Sequence, residues 1–379
     1  MTRSATPHDV AVIGLGIVGA CAVHALARAG ARVVALDAGV AGAGTSGTSF
    51  AWLNAVRKEP EAYHRLNSAG MAAHRELAGE LGEGSGHHAG GSLEWAEDAD
   101  AERALRGRVA RLAGRGYAAE WIAAGDARDL EPGLAIPPHV GGVAFYAGDG
   151  WLDAPRVVQR CLAAARARGA EIRERTAVRS LRLRGDRVDA VVVDGGEVTA
   201  GSVLVGVGPA TQAFLATLGL DLPVGRSPGL LAVTSPLREQ LGRVVHAPGL
   251  HLRPDGTGGL LLGASDVDGR VTDATPPAEA GTIARTLLER AARVFPAARD
   301  GRVADARVGV RPMPGDGVTI AGRLPGLANA WVLATHSGIT LGALLGRLVT
   351  EEIVGGEPSD VLAPFRPERF GAPAARATT

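Results

Sequence analysis

Asp9-Val-Ala-Val-Ile13, then Gly14-Leu15-Gly16-Ile17-Val18-Gly19, then Ala20 to Ala29, then Arg32-Val-Val-Ala-Leu36 and Asp37, is the stretch that decides the fold. Its first piece is a short apolar run rich in β-branched residues, the pattern of a strand buried on both faces. A G-x-G-x-x-G turn follows, then a helical pattern stopped by Gly30, then a second apolar strand ending on Asp37. Together they make a βαβ unit whose glycines permit a tight turn, close approach of backbone to a pyrophosphate, and close helix–strand packing. The helix N-terminus offers free N–H groups and the positive end of its dipole to phosphate. Asp37 lies 23 residues past Gly14, where a carboxylate accepts from both ribose hydroxyls and repels a 2′-phosphate, which disfavours NADP. A glycine turn without ligand would leave that acid unexplained.

Val10 to Ala27 carries no Asp, Glu, Lys or Arg, long enough to raise the question of a membrane span. Its three glycines, the short apolar cluster before them, and the lack of a basic leader and cleavage site favour a buried strand and helix. A cytoplasmic protein is expected. Past Asp37 and Ala38, the segment from Gly39 to Trp52 is rich in Gly, Ser and Thr. Such a loop brings a second set of backbone and hydroxyl donors to a phosphate. It suits a cofactor longer than NAD, whose ring extends beyond the first domain. The spacing predicts a helix over 59–81, begun by Pro60. The tract 82–91, containing His87-His88, reads as a loop; two histidines without a carboxylate or thiol partner do not make a metal site.

The 379 residues balance forty basic against forty acidic side chains, which argues against a polyanion-binding surface and hence against nucleic acid as a partner. Two cysteines, Cys21 and Cys161, exclude a disulfide scaffold and a cysteine-only metal centre; no metal is expected. All but one of the basic residues are arginine. Lys58 is the single lysine, which makes Schiff-base chemistry improbable.

Residues 92–146 mix short strands with one helix near 98–115 and read as an inserted domain. Asp153 and Pro155 begin another helix, strands alternate over 171–193, and Val203 to Gly208 is a buried strand closing on glycine. Further strands over 223–300 complete the insertion. The expected division is 1–85, 147–222 and 301–366 as a discontinuous cofactor domain, 86–146 and 223–300 as a substrate domain, and 367–379 as a loose tail. Near the C-terminus, a strand over 330–334 is followed by His336-Ser337-Gly338 and an apolar helix. Its N-terminus can stabilise negative charge in the same crevice.

The ordered set of Val10–Gly19 with Asp37, Gly44 to Ser49, Gly150-Trp-Leu-Asp153, Val203–Pro209, Gly309-Val-Arg-Pro312, Ile320-Ala-Gly322 and His336-Ser-Gly-Ile-Thr340 resembles the D-amino-acid oxidase superfamily of FAD-dependent oxidoreductases. Within it the glycine oxidase and sarcosine oxidase branch is most similar. The resemblance spans nearly the whole chain. It implies an α/β (α+β) fold: a Rossmann-type FAD-binding domain and a substrate domain on a mixed, largely antiparallel sheet. By position it assigns Gly14, Gly16, Gly19 and Asp37 to the ADP half of FAD, with Ile17, Val18 and Ala38 as cofactor-binding positions beside them. Thr45 and Ser46 go to the pyrophosphate side and Val178 to the adenine region, with Gly44, Ser49 and Gly208 as further cofactor-binding positions. Gly338, Ile339 and Thr340 fall at the flavin.

Three departures qualify it. No cysteine lies near Arg311, where sarcosine oxidases attach flavin covalently, so FAD is expected to be non-covalent. Leu261 stands where those enzymes carry a lysine that assists oxygen. The turn after His336 is shorter than in glycine oxidases. The implied reaction is hydride transfer from a carbon bearing a neutral amine to flavin N5, giving an imine that hydrolyses; orientation and electrostatics carry the catalysis. In this branch an arginine in the context of Arg311 forks onto the substrate carboxylate. His336, Tyr146 and Trp52 are candidates for the substrate pocket, the alternatives being a structural turn histidine and core packing. Oxygen, or a quinone or carrier protein, would take the electrons, and a non-catalytic flavin-binding redox protein is the remaining alternative.

Overall fold

The computed structural model describes residues 8–371. His8–Ile13 is the central strand of a six-stranded sheet. It lies between Val33–Leu36 and Ala200–Val205, both parallel to it. Glu171–Arg173 extends one edge and Ala330–Ala334 the other, again in parallel, and antiparallel Ile320–Arg323 closes the sheet. Ile17–Arg28 covers one face beside Ala154–Arg166 and Gly338–Gly355. The first and last helices touch backbone to backbone: a Cβ on Gly346 would stand 2.8 Å from the Ala22 nitrogen. Leu26, Leu341 and Leu345, buried between these layers, each contribute about 1.5–3 kcal/mol. On the other face lies a three-stranded meander of Val178–Arg184, Arg187–Val193 and Gly196–Val198.

The second sheet has eight strands in the order Val303–Pro314, Val224–Thr234, Leu260–Gly263, Leu250–Pro254, Val244–Ala247, Ser92–Glu94, Gly142–Tyr146, Ala119–Ala123. Every pairing is antiparallel except that of Val244–Ala247 with Ser92–Glu94, so it is mixed and largely antiparallel. Pro277–Val294 packs on it through Ile283, Ala284 and Leu287. Val303–Pro314 corrects the expected division at residue 301. This strand pairs along its length with Val224–Thr234, placing Arg311 opposite Ser227, and so belongs to the second sheet.

Two further expectations fail locally. His87–Ala89 is a strand, pairing with Gly150–Leu152 in a small sheet that also holds Trp52–Leu53. His88 stacks on Trp151 with centroids 3.7 Å apart and rings 4° from parallel, so a long-range partner supplies an order that the glycine-rich tract does not signal. The beginning of the expected loose tail is fastened. Pro367–Phe370 forms a 3₁₀ turn, with Arg369 paired to Asp316 at 2.7 Å and neighbouring Arg366 paired to buried Glu352 at 2.5 Å; residues 372–379 lie outside the described part. Among the described residues no helix is long and apolar enough to cross a membrane.

Candidate active site

The C-terminal ends of the central parallel strands open into one cavity of about 840 Å³, towards the upper end of the range of roughly 300–1,000 Å³ usual for ligand pockets. At one end its wall is Gly14, Gly16, Ile17, Val18, Asp37, Ala38, Gly44, Thr45, Ser46, Ser49, Val178 and Gly208. Gly14 takes φ +97°. The Ser46 hydroxyl accepts from the Ile17 N–H at 2.9 Å, tying the Ser/Thr loop to the helix tip, and no side chain caps that helix from its own N-cap position. Asp37 accepts from Leu15 N–H at 2.6 Å and Gly39 N–H at 2.7 Å, one on each oxygen. Each oxygen keeps a lone pair for a ribose hydroxyl. The Thr45 hydroxyl donates to the Val310 carbonyl at 2.5 Å, which joins the loop to the second sheet. A glycine-lined helix tip, a preoriented carboxylate and the volume of the cavity fit a dinucleotide cofactor. Gly19 stands behind this wall: its Cβ position is 1.9 Å from the Gly14 carbonyl oxygen, so it serves helix–strand packing.

The cavity continues to His336, Ser337, Gly338, Ile339 and Thr340 at the start of Gly338–Gly355. Ser337, the N-cap residue, does not cap the helix with its side chain. Its Oγ accepts instead from Lys58 Nζ at 2.9 Å and from the Tyr63 hydroxyl at 2.8 Å. The Thr340 hydroxyl is held by the Asn54 backbone. Burial pulls Lys58 down to about 8. His336 turns its ring into the cavity, yet protein walls and the Lys58 and Arg311 cations hold it down to about 4; it is neutral at ordinary pH.

Arg311 lines the cavity from the second sheet. Its guanidinium meets Asp268 at 2.9 Å and donates to the Ser227 hydroxyl at 3.1 Å and the Pro228 carbonyl at 2.9 Å. These contacts fix the plane of the fork.

Trp52 also lines the cavity, its ring 4.1 Å from His246. Its Nε1–H donates to buried Asp149 at 2.9 Å. Asp149 further accepts from Ser92 at 2.7 Å and from the Tyr117 hydroxyl. Tyr146 is a correction. It is 0% exposed, outside the cavity wall, packed with Leu105, Val109 and Leu112 of the helix Ala99–Gly114 and directed to Glu94 at 3.4 Å. Strand alternation points its side chain to the helix-covered face.

Burial raises Asp149 to about 7 against the three donors that oppose the shift. An unfolded chain loses this proton near 3.8. Between about 4 and about 7 the folded protein therefore binds a proton that the unfolded chain has released, and stability falls as pH rises, by up to about 1.4 kcal/mol per pH unit. Asp149→Asn should flatten the melting temperature between about pH 5 and pH 7. An unchanged slope would assign the dependence to another group.

Several wall residues carry no signal in the sequence. His246 and His251, with Nδ1 atoms 2.9 Å apart, come from adjacent strands, and burial holds both below the usual range. Asp268 carries no motif. Lys58 does have a signal, being the single lysine and just beyond the Ser/Thr loop.

Fold and cavity define a two-lobed dinucleotide-binding oxidoreductase. The family model for FAD-dependent oxidoreductases (DAO) matches residues 9–352, and the chain belongs to that family. It is 29% identical to glycine oxidase of Geobacillus kaustophilus (strain HTA426), over 94% of this chain and 96% of that protein. It is 27% identical to one subunit of the opine oxidase of Agrobacterium tumefaciens (strain Ach5), over 96% and 98%. A crystal structure of glycine oxidase from Geobacillus kaustophilus superposes with a TM-score of 0.84 at 26% identity, covering 99% of this chain and all of that one.

Proposed function

We propose that the protein oxidises an amino acid or secondary amine to an imine, which water then hydrolyses. FAD, bound without a covalent link, supplies the acceptor for the hydride leaving the carbon that bears the amine. The observation carrying this proposal is the continuity of the cavity from the dinucleotide end at Gly14 and Asp37 to a cation-walled end at Arg311. There Arg311, its plane set by Asp268 and strand carbonyls, would hold the substrate carboxylate. His336, kept neutral, and the nearby cations disfavour a second positive charge and so favour the neutral amine that must donate its lone pair. Trp52, anchored by Asp149, forms the wall beside His246. The uncapped tip of Gly338–Gly355 supplies a positive pole for negative charge developing in the cavity. Both cysteines are buried and neither lines the cavity, which supports non-covalent binding.

Purified protein should be yellow, and under anaerobic conditions one of glycine, sarcosine, proline or the D-amino acids should bleach it. A protein that takes up FAD and is bleached by no amine would overturn the proposal. Admission of air then separates oxidase from dehydrogenase. Leu261 favours slow recovery, because it is buried, uncharged and outside the cavity wall, leaving oxygen no cation there. Slow recovery with rapid electron transfer to a quinone would identify a dehydrogenase.

A further inference from the structure

The cations in the cavity wall are not equally satisfied. Arg57 meets Glu94 at 2.6 Å and Arg311 meets Asp268 at 2.9 Å. Glu59, the acid next to Lys58, pairs with Arg115. Lys58 has no carboxylate within ion-pair distance among the described residues. Its one hydrogen bond goes to Ser337 Oγ, so an ammonium with three donors has two to spare. Ser337 accepts from both Lys58 and Tyr63, which leaves its own O–H free to donate. These donors meet beside a helix tip that no side chain caps. The other neighbour of Lys58 is the Tyr63 ring, 6.0 Å from Nζ to centroid, and a partly buried cation with no carboxylate partner is costly unless an anion arrives.

We propose that Lys58 and Ser337 form a second anion-holding corner, distinct from Arg311, and that the preferred substrate is an amine carrying two carboxylates. The inference rests on the amine-oxidising function proposed above. Arg311 takes one carboxylate and Lys58 the other. Lys58, Arg311 and His336 line one and the same cavity, so a ligand lying in it is open to both cations. A monocarboxylate substrate held by Arg311 would leave Lys58 bare.

The test uses the FAD-loaded, full-length protein and ligands that cannot be oxidised. Perturbation of the flavin absorbance is titrated with glutarate and with valerate, a diacid and a monoacid of equal chain length. Glutarate should bind at least about tenfold more tightly, the effect of roughly one partly desolvated charge pair. Lys58→Met should remove that advantage and leave valerate affinity unchanged, whereas Lys58→Arg should retain it. Equal binding of the two acids by the wild type, failure of glutarate to bind, or equal weakening of both in Lys58→Met would overturn the second corner. A shifted flavin midpoint potential in Lys58→Met with both affinities intact would also overturn it, by assigning Lys58 to the cofactor. If the glutarate preference stands but no amine bleaches the flavin, the corner survives and the amine-oxidising function fails.

Discussion

Gly14→Ala is expected to yield a protein that is markedly less stable and nearly free of flavin. Gly14 sits at φ +97°, where an L side chain costs about 1–2 kcal/mol. A Cβ there would lie 2.4 Å from the Gly206 carbonyl oxygen and 2.8 Å from its carbon. Those atoms are backbone, held by the bond from Gly206 N–H to the Ile13 carbonyl at 2.8 Å, so no rotamer change relieves the overlap. Relief requires the turns after two central strands to separate, and such overpacking costs about 1–3 kcal/mol. The sum is a large part of a typical stability of about 5–15 kcal/mol, and the displaced turn lines the end of the cavity proposed to hold the dinucleotide. Gly30→Ala is the control. Gly30 also has positive φ, +85°, but nothing lies within 4 Å of its Cβ position, so the substitution should cost only the backbone strain and leave flavin content intact. Flavin absorbance per chain, read beside thermal unfolding, checks both. A Gly14→Ala protein as yellow and as stable as Gly30→Ala would mean that the close approach is unimportant.

That contact also shows which parts of the molecule are legible in the sequence. Local chemistry is: strand, glycine turn, helix, strand and acid from Asp9 to Asp37 form a pattern whose meaning is complete within about thirty residues, the span of one βαβ unit. The last helix is also legible, because an apolar run after His336-Ser337-Gly338 has few alternatives. What escapes depends on pairing between distant segments. Val303–Pro314 alternates like a strand of either sheet, and only its register with Val224–Thr234 decides which. His88 acquires its place from Trp151, and Arg369 from Asp316. Among the site candidates, Tyr146 and Trp52 are indistinguishable as isolated aromatics in short strands. One faces the helix Ala99–Gly114 and the other the cavity, a difference set by strand parity that no local residue reports. Lys58 is conspicuous as the single lysine, but only the folded arrangement of acids around it shows that no carboxylate among the described residues pairs with it.

Arg311→Leu should lower kcat/KM for carboxylated amines by about 10²–10³, or roughly 3–4 kcal/mol of transition-state binding, with flavin content unchanged. The guanidinium has five N–H donors, and contacts to Asp268, Ser227 and Pro228 occupy several of them. Those contacts orient the fork, and they also complicate the substitution. Leucine removes the partner of Asp268, leaving a carboxylate at the edge of the cavity that would itself repel an acidic substrate. Some of the loss would then come from that stranded charge. Arg311→Leu with Asp268→Asn separates the two contributions: if Arg311 holds substrate, the double variant should remain at least about tenfold impaired, because the attractive contact is still missing. Recovery to wild-type rates would show instead that Arg311 serves only to neutralise Asp268. Arg311→Lys offers a further check, since it keeps the charge but loses the two-point geometry; an intermediate rate is expected, with the deficit mainly in KM. Amines without a carboxylate should be insensitive to all three changes, so the ratio of rates for paired substrates isolates carboxylate recognition from any general damage to the site.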